Sequence, residues 1–224
     1  MNLKNTVLVF VIAIIASGIV LAMSAATFTF VSESRWTNNT ASSNDTTEGG
    51  NITQGNFGSI SLTDKWAAYF GNVTGSIKLF DGTSSVFTWS VGTDNATGEV
   101  CASTGNIFSF ASANSTNGSE IDGAFSLTPG LDNASNTLSG ACNMSFNERA
   151  VTNTQFVDHQ DSNFNTCAIK NTSGTPVKNG VAFCTSINSA GSAFNGQSAD
   201  FELMVATNDT ASATETYFFY LELN

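Results

Sequence analysis

Residues 7–23 form an apolar run broken only by Ser17 and Gly18, and after Lys4 no charge appears until Glu33. A segment of this kind targets a chain to a membrane and exports the residues C-terminal to it, so it sets the topology of the whole body. Extended to Ala26 the run reaches about 20 residues, the length of a spanning helix. That exceeds the roughly 7–15 residues of an ordinary secretory core. Three readings stay open. The run is a retained anchor, a signal cleaved where Ala22 and Ser24 supply small residues, or a pilin-like signal cut ahead of the apolar stretch. Against the last, no Gly or Ala precedes Val7 and no Glu follows it closely. Lys4 and the α-amine favour an inside N-terminus, with the body outside. Gly18, Ala22 and Ala26 recur at four-residue spacing, either as a helix-packing stripe or as the small residues that gather at signal ends.

The body has the composition of an exported domain. About 200 residues suit one domain with its own core. The formal charge is −11, from 18 acidic and 7 basic residues, with no basic patch, which excludes nucleic acid as a partner. With 41% hydrophobic residues and 18 Phe, the chain is not intrinsically disordered. Asn, Ser and Thr number 25, 28 and 28, and 11 N-x-[ST] sequons result, at Asn38, Asn44, Asn51, Asn72, Asn95, Asn114, Asn117, Asn133, Asn143, Asn171 and Asn208. Chance at this composition supplies roughly six, so the excess is about twofold and points to a glycosylated surface. Cys101, Cys142, Cys167 and Cys184 are an even set in an exported chain and read as two disulfides. Zinc is disfavoured, because no C-x-x-C spacing occurs and His159 is the single histidine. Cys167 and Cys184 flank the polar stretch at residues 171–180 and are placed to staple a hairpin, which would leave Cys101 for Cys142.

Residues 37–50 lack any large apolar side chain and read as a linker. Before them, Thr27-Phe28-Thr29-Phe30 alternates as a strand does. The clearest hairpin spans residues 72–91. Val73, Ile77 and Leu79 share one face, Asp81-Gly82 makes the turn, and Phe87, Trp89 and Val91 return on one face. Residues 99–103 add a strand. Residues 201–205 and 217–223 form a further pair, the last apolar on both faces and therefore expected to be central and buried. Residues 119–140 hold a short helix or a long loop, and no segment beyond the N-terminus has helical periodicity. The expected fold class is all-β, a β-sandwich (Ig-like or jelly-roll-like) of roughly eight to ten strands preceded by one N-terminal hydrophobic helix. Its domains are an anchor or signal at 1–26, a strand plus polar linker at 27–50, and an extracellular sandwich at 51–224.

Three segments carry a resemblance. They are Trp66-Ala67-Ala68-Tyr69-Phe70-Gly71-Asn72-Val73-Thr74-Gly75-Ser76-Ile77, then Gly98-Glu99-Val100-Cys101-Ala102-Ser103, then Asp200-Phe201-Glu202-Leu203-Met204-Val205 with the closing Tyr217-Phe218-Phe219-Tyr220-Leu221-Glu222-Leu223. Together they resemble a group of archaeal exported or membrane-anchored surface proteins with a W-x-x-Y-[YF]-G-N-V-[ST]-G core. The resemblance covers roughly residues 51–224 and implies a cell-surface location. The group has no assigned activity, so the resemblance implies no catalytic residue. It implies an aromatic where Cys101 stands, and hence a disulfide particular to this chain.

Site chemistry is sparse. His159 lies in Asp158-His159-Gln160-Asp161 and reads as a solvated loop histidine, which leaves triads little to build on. Asp161, Asn163 and Asn165 begin a calcium-loop spacing. It then fails, with Thr166 in place of the Gly and Thr172 where a bidentate Glu belongs, so calcium is a weak expectation and no cofactor is assigned. Glu99, Asp122 and Glu148 are carboxylates of the kind glycoside hydrolysis uses, without a supporting motif. Trp36, Trp66 and Trp89 are able to stack on sugars, but Trp66 and Trp89 sit in alternating strands and read as core. The expectation is a structural cell-surface protein, not an enzyme: a membrane-anchored or filament-forming subunit that self-associates by adding residues 27–31 to a neighbour's sheet edge. The alternative is an adhesin or carbohydrate-binding module.

Overall fold

The computed structural model describes residues 24–25, 27–35, 49, 62–91, 97–146, 149–159, 163–208 and 214–224. Of the expected N-terminal helix at 1–26, the structure describes Ser24 and Ala25, which are strand; the rest lies outside the described residues, as does nearly all of the linker at 37–50. Among the described residues no helix is long and apolar enough to cross a membrane. Strands hold 44% of the described residues against 11% for helical segments, consistent with an all-β fold.

The strands are β1 (Ser24–Ala25), β2 (Trp66–Gly71), β3 (Ser76–Phe80), β4 (Ser85–Ser90), β5 (Gly98–Ser103), β6 (Asn114–Ser115), β7 (Ser139–Phe146), β8 (Arg149–Asp158), β9 (Asn165–Lys170), β10 (Val181–Ser186), β11 (Phe201–Ala206) and β12 (Phe218–Leu223). Two short helices, α1 (Gly118–Phe125) and α2 (Ala134–Thr137), lie between β6 and β7. The large sheet runs β1-β12-β5-β10-β9-β8-β7, with β6 also on β9, while β11 pairs with β2 and β3 with β4. All pairings within the large sheet are antiparallel.

Both faces of the large sheet's centre are covered. On one, Val100, Ala102, Val181 and Phe183 pack with Leu203 and Val205 of β11 and with Ile121 and Phe125 of α1. On the other, Cys101, Ala182, Cys184, Cys167 and Ile169 pack with Phe108, Phe110, Met144, Phe146 and Val151. Side chains alternate between faces along a strand, so every residue of β5 is buried. Gly98, at its start, runs so close to β12 that a Cβ there would lie 1.9 Å from the Glu222 carbonyl oxygen.

Several expectations need correction. The final strand is flanked by β5 and β1 but only half-buried; the doubly covered strands are β5, β9 and β10. Residues 201–205 do not pair with it, because β11 joins β2 in the other sheet. Residues 27–31 are not a strand: the ladder forms one step upstream, at Ser24 and Ala25. Residues 119–140 do contain helix. In α1, Asn117 caps the N-terminus by accepting from the Glu120 amide at 3.0 Å, and Ile121 and Phe125 point inward four residues apart. Eight residues supply one inward pair, too little for a periodic signal.

The predicted hairpin at 72–91 is present as β3–β4, with Gly82 at φ 95° in the turn and the Asp81 carboxylate accepting from the Thr83 and Ser84 amides. It stands apart as its own two-stranded sheet, so Trp89 is exposed, against the expectation of a core residue. Trp66 is half-buried against the core, its ring 6.1 Å from Phe183 and its Nε1 donating to the Asp132 carbonyl at 2.7 Å.

The two disulfides exist, with a different connectivity. Cys101 joins Cys184 and Cys142 joins Cys167. The hairpin expected across residues 171–180 does form, as β9 and β10, and Cys184 sits opposite Cys167 in it. Cys184 also sits opposite Cys101 on β5, its other neighbour. A central strand offers two flanking partners, and spacing along the chain cannot choose between them. Bulges in β7 bring Cys142 to a Cα separation of 6.0 Å from Cys167, although β8 lies between their strands in the sheet order.

Candidate functional site

The N-terminal segment lies on an edge of the large sheet. β12 is paired over its whole length with β5, whereas on its other edge, among the described residues, Ser24 lies opposite Leu221 and Ala25 opposite Tyr220. An edge of this kind is a template for strand addition. Just downstream, the Phe28 ring stacks on Phe219, with centroids 4.3 Å apart and planes 8° from parallel, and meets Tyr69 edge-on at 5.9 Å. Burial, and then the nearby Glu33 carboxylate, raise the Tyr69 phenol above its ordinary range. Arg35 bonds Asp64 at 2.7 Å, an exposed pair that contributes at most about 1 kcal/mol. Among the described residues, the contacts of 24–35 include the two residue pairs of β1, the Phe28 ring against Phe219 and Tyr69, and the exposed Arg35–Asp64 ion pair.

The three segments that carry the resemblance come together around this edge. Trp66–Gly71 pairs along β11, and Gly98–Ser103 pairs along β12. The Asp200 carboxylate accepts from the Val73 amide at 2.8 Å and so fixes the chain as it leaves β2. Tyr69 meets Phe219 edge-on at 5.0 Å, beneath Phe28.

His159 is not a solvated loop residue. It is 7% exposed, with Nδ1 2.7 Å from Glu202 Oε1 and Nε2 2.9 Å from Thr166 Oγ1. A carboxylate accepts, so Nδ1 donates to Glu202; in a neutral ring Nε2 then accepts from the Thr166 hydroxyl. That hydroxyl in turn accepts from the Met204 amide at 2.9 Å, and Glu202 Oε2 accepts from the Phe194 amide at 2.8 Å. Thr, His and Glu stand in the order of a nucleophile triad. Thr166 is fully buried, however, so the hydroxyl has no face toward a substrate. The network pins β8 and β9 to β11 across the two layers. His159→Ala removes the buried partner of both Glu202 Oε1 and the Thr166 hydroxyl proton. It is expected to lower the unfolding free energy by about 2–4 kcal/mol, read by guanidinium denaturation. The polar neighbours of His159 concealed this role. The available signal was Glu202, a charge inside the apolar strand Phe201–Ala206, which requires a buried partner.

Among the described residues, the other carboxylates singled out from the sequence, Asp122 and Glu99, have separate partners. Asp122 accepts from the Ala134 amide at 2.7 Å and caps α2. Glu99 faces Glu222 across β5 and β12, and Asn224 Nδ2 donates to Glu99 Oε2 at 3.1 Å. Burial first, and the Glu222 charge second, push Glu99 up to about 7. Glu148, Asp161 and Trp36 lie outside the described residues. Among the described residues no three His, Cys, Asp or Glu side chains group as metal ligands, and Thr166, where the calcium spacing needed a glycine, is buried on His159.

Of the sequons, Asn72, Asn117 and Asn143 are exposed, and Asn114, Asn133, Asn171 and Asn208 are half-buried. Asn38, Asn44, Asn51 and Asn95 lie outside the described residues. Several have local work: Asn117 and Asn133 cap α1 and α2, Asn143 accepts from the Asn153 amide, and Asn114 bonds Arg149. Capping therefore accounts for part of the asparagine excess. No protein-family model, no curated protein and no solved structure matches this chain.

Proposed function

We propose that this chain is a structural cell-surface subunit, held at the membrane by residues 7–23 ahead of β1 or released from it, whose β domain assembles by exchanging its N-terminal segment. The observation that carries this reading is the seat of β1 on the edge of β12. It is the geometry of strand addition, made within one chain. Residues 26–65 separate β1 from β2. Fully extended, such a tether reaches roughly 130 Å, ample for the segment to leave its own β12 and take the same place on a neighbour. Exchange replaces each contact by an identical one, so the cost is mainly entropic and concentration favours it. The short strand, the aromatic stack and the exposed ion pair make a seat weak enough to exchange.

The finer architecture belongs to the same reading: a two-layer sandwich in which β2 and β11 cover one face of the large sheet, with the disulfides stapling the opposite side. Glycans on exposed Asn72, Asn117 and Asn143 would add to a surface otherwise poor in charge. The location outside an archaeal cell rests on the apolar run and on the resemblance in the three segments around the β12 edge.

Deleting residues 24–30 tests the proposal. The shortened chain is expected to remain folded, since both buried clusters lie in residues 66–223, and to run as a monomer in sedimentation velocity where the wild type assembles. Assemblies of unchanged size from the deleted chain would exclude strand exchange through this edge.

A further inference from the structure

The β3–β4 hairpin carries an apolar face that no described part of the molecule covers. Ile77 pairs with Trp89 and Leu79 with Phe87, so these four side chains share one face of the ladder. Leu79, Phe87 and Trp89 are 56%, 52% and 38% exposed, and the Phe87 and Trp89 rings lie 4.6 Å apart. Phe80 and Val86 are exposed beside them at a bulge. In a chain of net charge −11, residues 76–90 carry one Lys and one Asp and are electrically neutral. The turn is polar, with Asp81 bonded to its own loop. The apolar surface is therefore the flank of the hairpin and not its tip.

The position of the hairpin identifies what covers that flank. Its base is Gly75, where the Val91 amide donates to the Gly75 carbonyl at 3.1 Å and a Cβ would come within 2.6 Å of Leu223 Cδ1, at the end of β12. β1 runs antiparallel to β12, with Ala25 on Tyr220 and Ser24 on Leu221. β1 therefore starts on the Leu223 side of β12, the same end at which the hairpin is rooted. The residue ahead of Ser24 is Met23, the last of the apolar run. In the anchored form of the proposed function, a bilayer holding that run would meet the sheet at this end.

We propose that the β3–β4 hairpin lies flat on the outer leaflet beside the anchor, with Leu79, Phe87 and Trp89 at the boundary between headgroups and acyl chains. The partner is lipid, recognised by apolar burial and interfacial aromatics and not by headgroup charge. Four side chains fall well short of the roughly 800 Å² per partner of a stable protein interface, which disfavours a second copy as the occupant. The inference rests on the anchored form of the proposed function.

The test uses the full chain in phosphatidylcholine vesicles with ordinary or brominated acyl chains, comparing wild type with Trp89→Phe, a conservative change at an exposed position. Brominated lipid is expected to quench the wild type, and Trp89→Phe to lower the quenched emission by about twofold or more. Leu79→Ser, read on Trp89 itself, is expected to reduce the same quenching. Adding anionic phosphatidylglycerol or salt is expected to leave it unchanged. Equal quenching in wild type and Trp89→Phe overturns the proposal, as does quenching that appears only with anionic lipid. So does a Trp89 shielded from both brominated lipid and aqueous iodide, which would mean a protein partner covers the face. A carbonate wash separates the two readings. A chain that stays in the vesicles with Trp89 unquenched keeps the anchor and loses the hairpin contact; a chain that is quenched through Trp89 but washes off keeps the contact and loses the anchor.

Discussion

Replacing Cys101 and Cys184 together with alanine is expected to lower the unfolding free energy by about 4.5 kcal/mol, and replacing Cys142 and Cys167 by about 3.5 kcal/mol. The difference arises from the lengths of chain that the two bonds close, with sequence separations of 83 and 25. A longer closed loop removes more entropy from the unfolded ensemble. Both bonds lie in the same buried cluster, so the packing lost with each sulfur pair is similar and the loop term sets the order. Guanidinium denaturation of the two double variants measures it, with peptide mapping under non-reducing conditions to verify the connectivity. A shorter-loop variant less stable than the longer-loop one would show that local packing, and not chain entropy, dominates.

The second large effect belongs to Glu99. Its ordinary value of 4.5 is raised to about 7 in the folded chain, through burial and the facing Glu222. The folded state therefore holds a proton that the unfolded state has released. The contribution of Glu99 to stability is greatest below about pH 4.5, falls as the pH rises toward about 7, and is level above it. The loss across that window is on the order of 3 kcal/mol. Glu99→Gln keeps the shape and can still accept from Asn224. It is expected to flatten the profile and to exceed the wild type by a similar amount at pH 8. Unfolding midpoints in urea from pH 4 to 8 give the result; a wild-type midpoint that rises with pH through this window would contradict the assignment.

Much of the framework is legible in the amino-acid sequence. Asp81-Gly82 between two alternating runs defines β3–β4, because few other dipeptides tolerate the turn's backbone, and the run at residues 99–103 defines β5. Burial is less legible. β12 is apolar on both faces yet half-exposed, since its outer neighbour is a strand of two residues. Trp89 has the alternation of a core residue but no second layer above it. His159 escapes sequence reasoning because its partners come from two other strands, Thr166 on β9 and Glu202 on β11, and sequence-local polarity carries no record of them. Residues 27–31 alternate as a strand does, yet the structure gives them no strand. Phe28 spends its side chain on Phe219, and the ladder forms at Ser24 and Ala25, where composition gives no β signal.

Exchange of β1 between subunits, each taking its neighbour's β12, is most directly tested by cross-linking across that seat. Ser24 and Leu221 are register partners. A chain carrying Ser24→Cys and Leu221→Cys, mixed in isotopically light and heavy forms, assembled and then oxidised, reports which copy supplies each half of the pair. Strand exchange predicts light–heavy linked peptides joining positions 24 and 221 in the assembled fraction, and same-isotope pairs alone in the monomer. Assemblies in which every such link joins peptides of one isotope would show that the segment stays on its own sheet, and would contradict the proposed function.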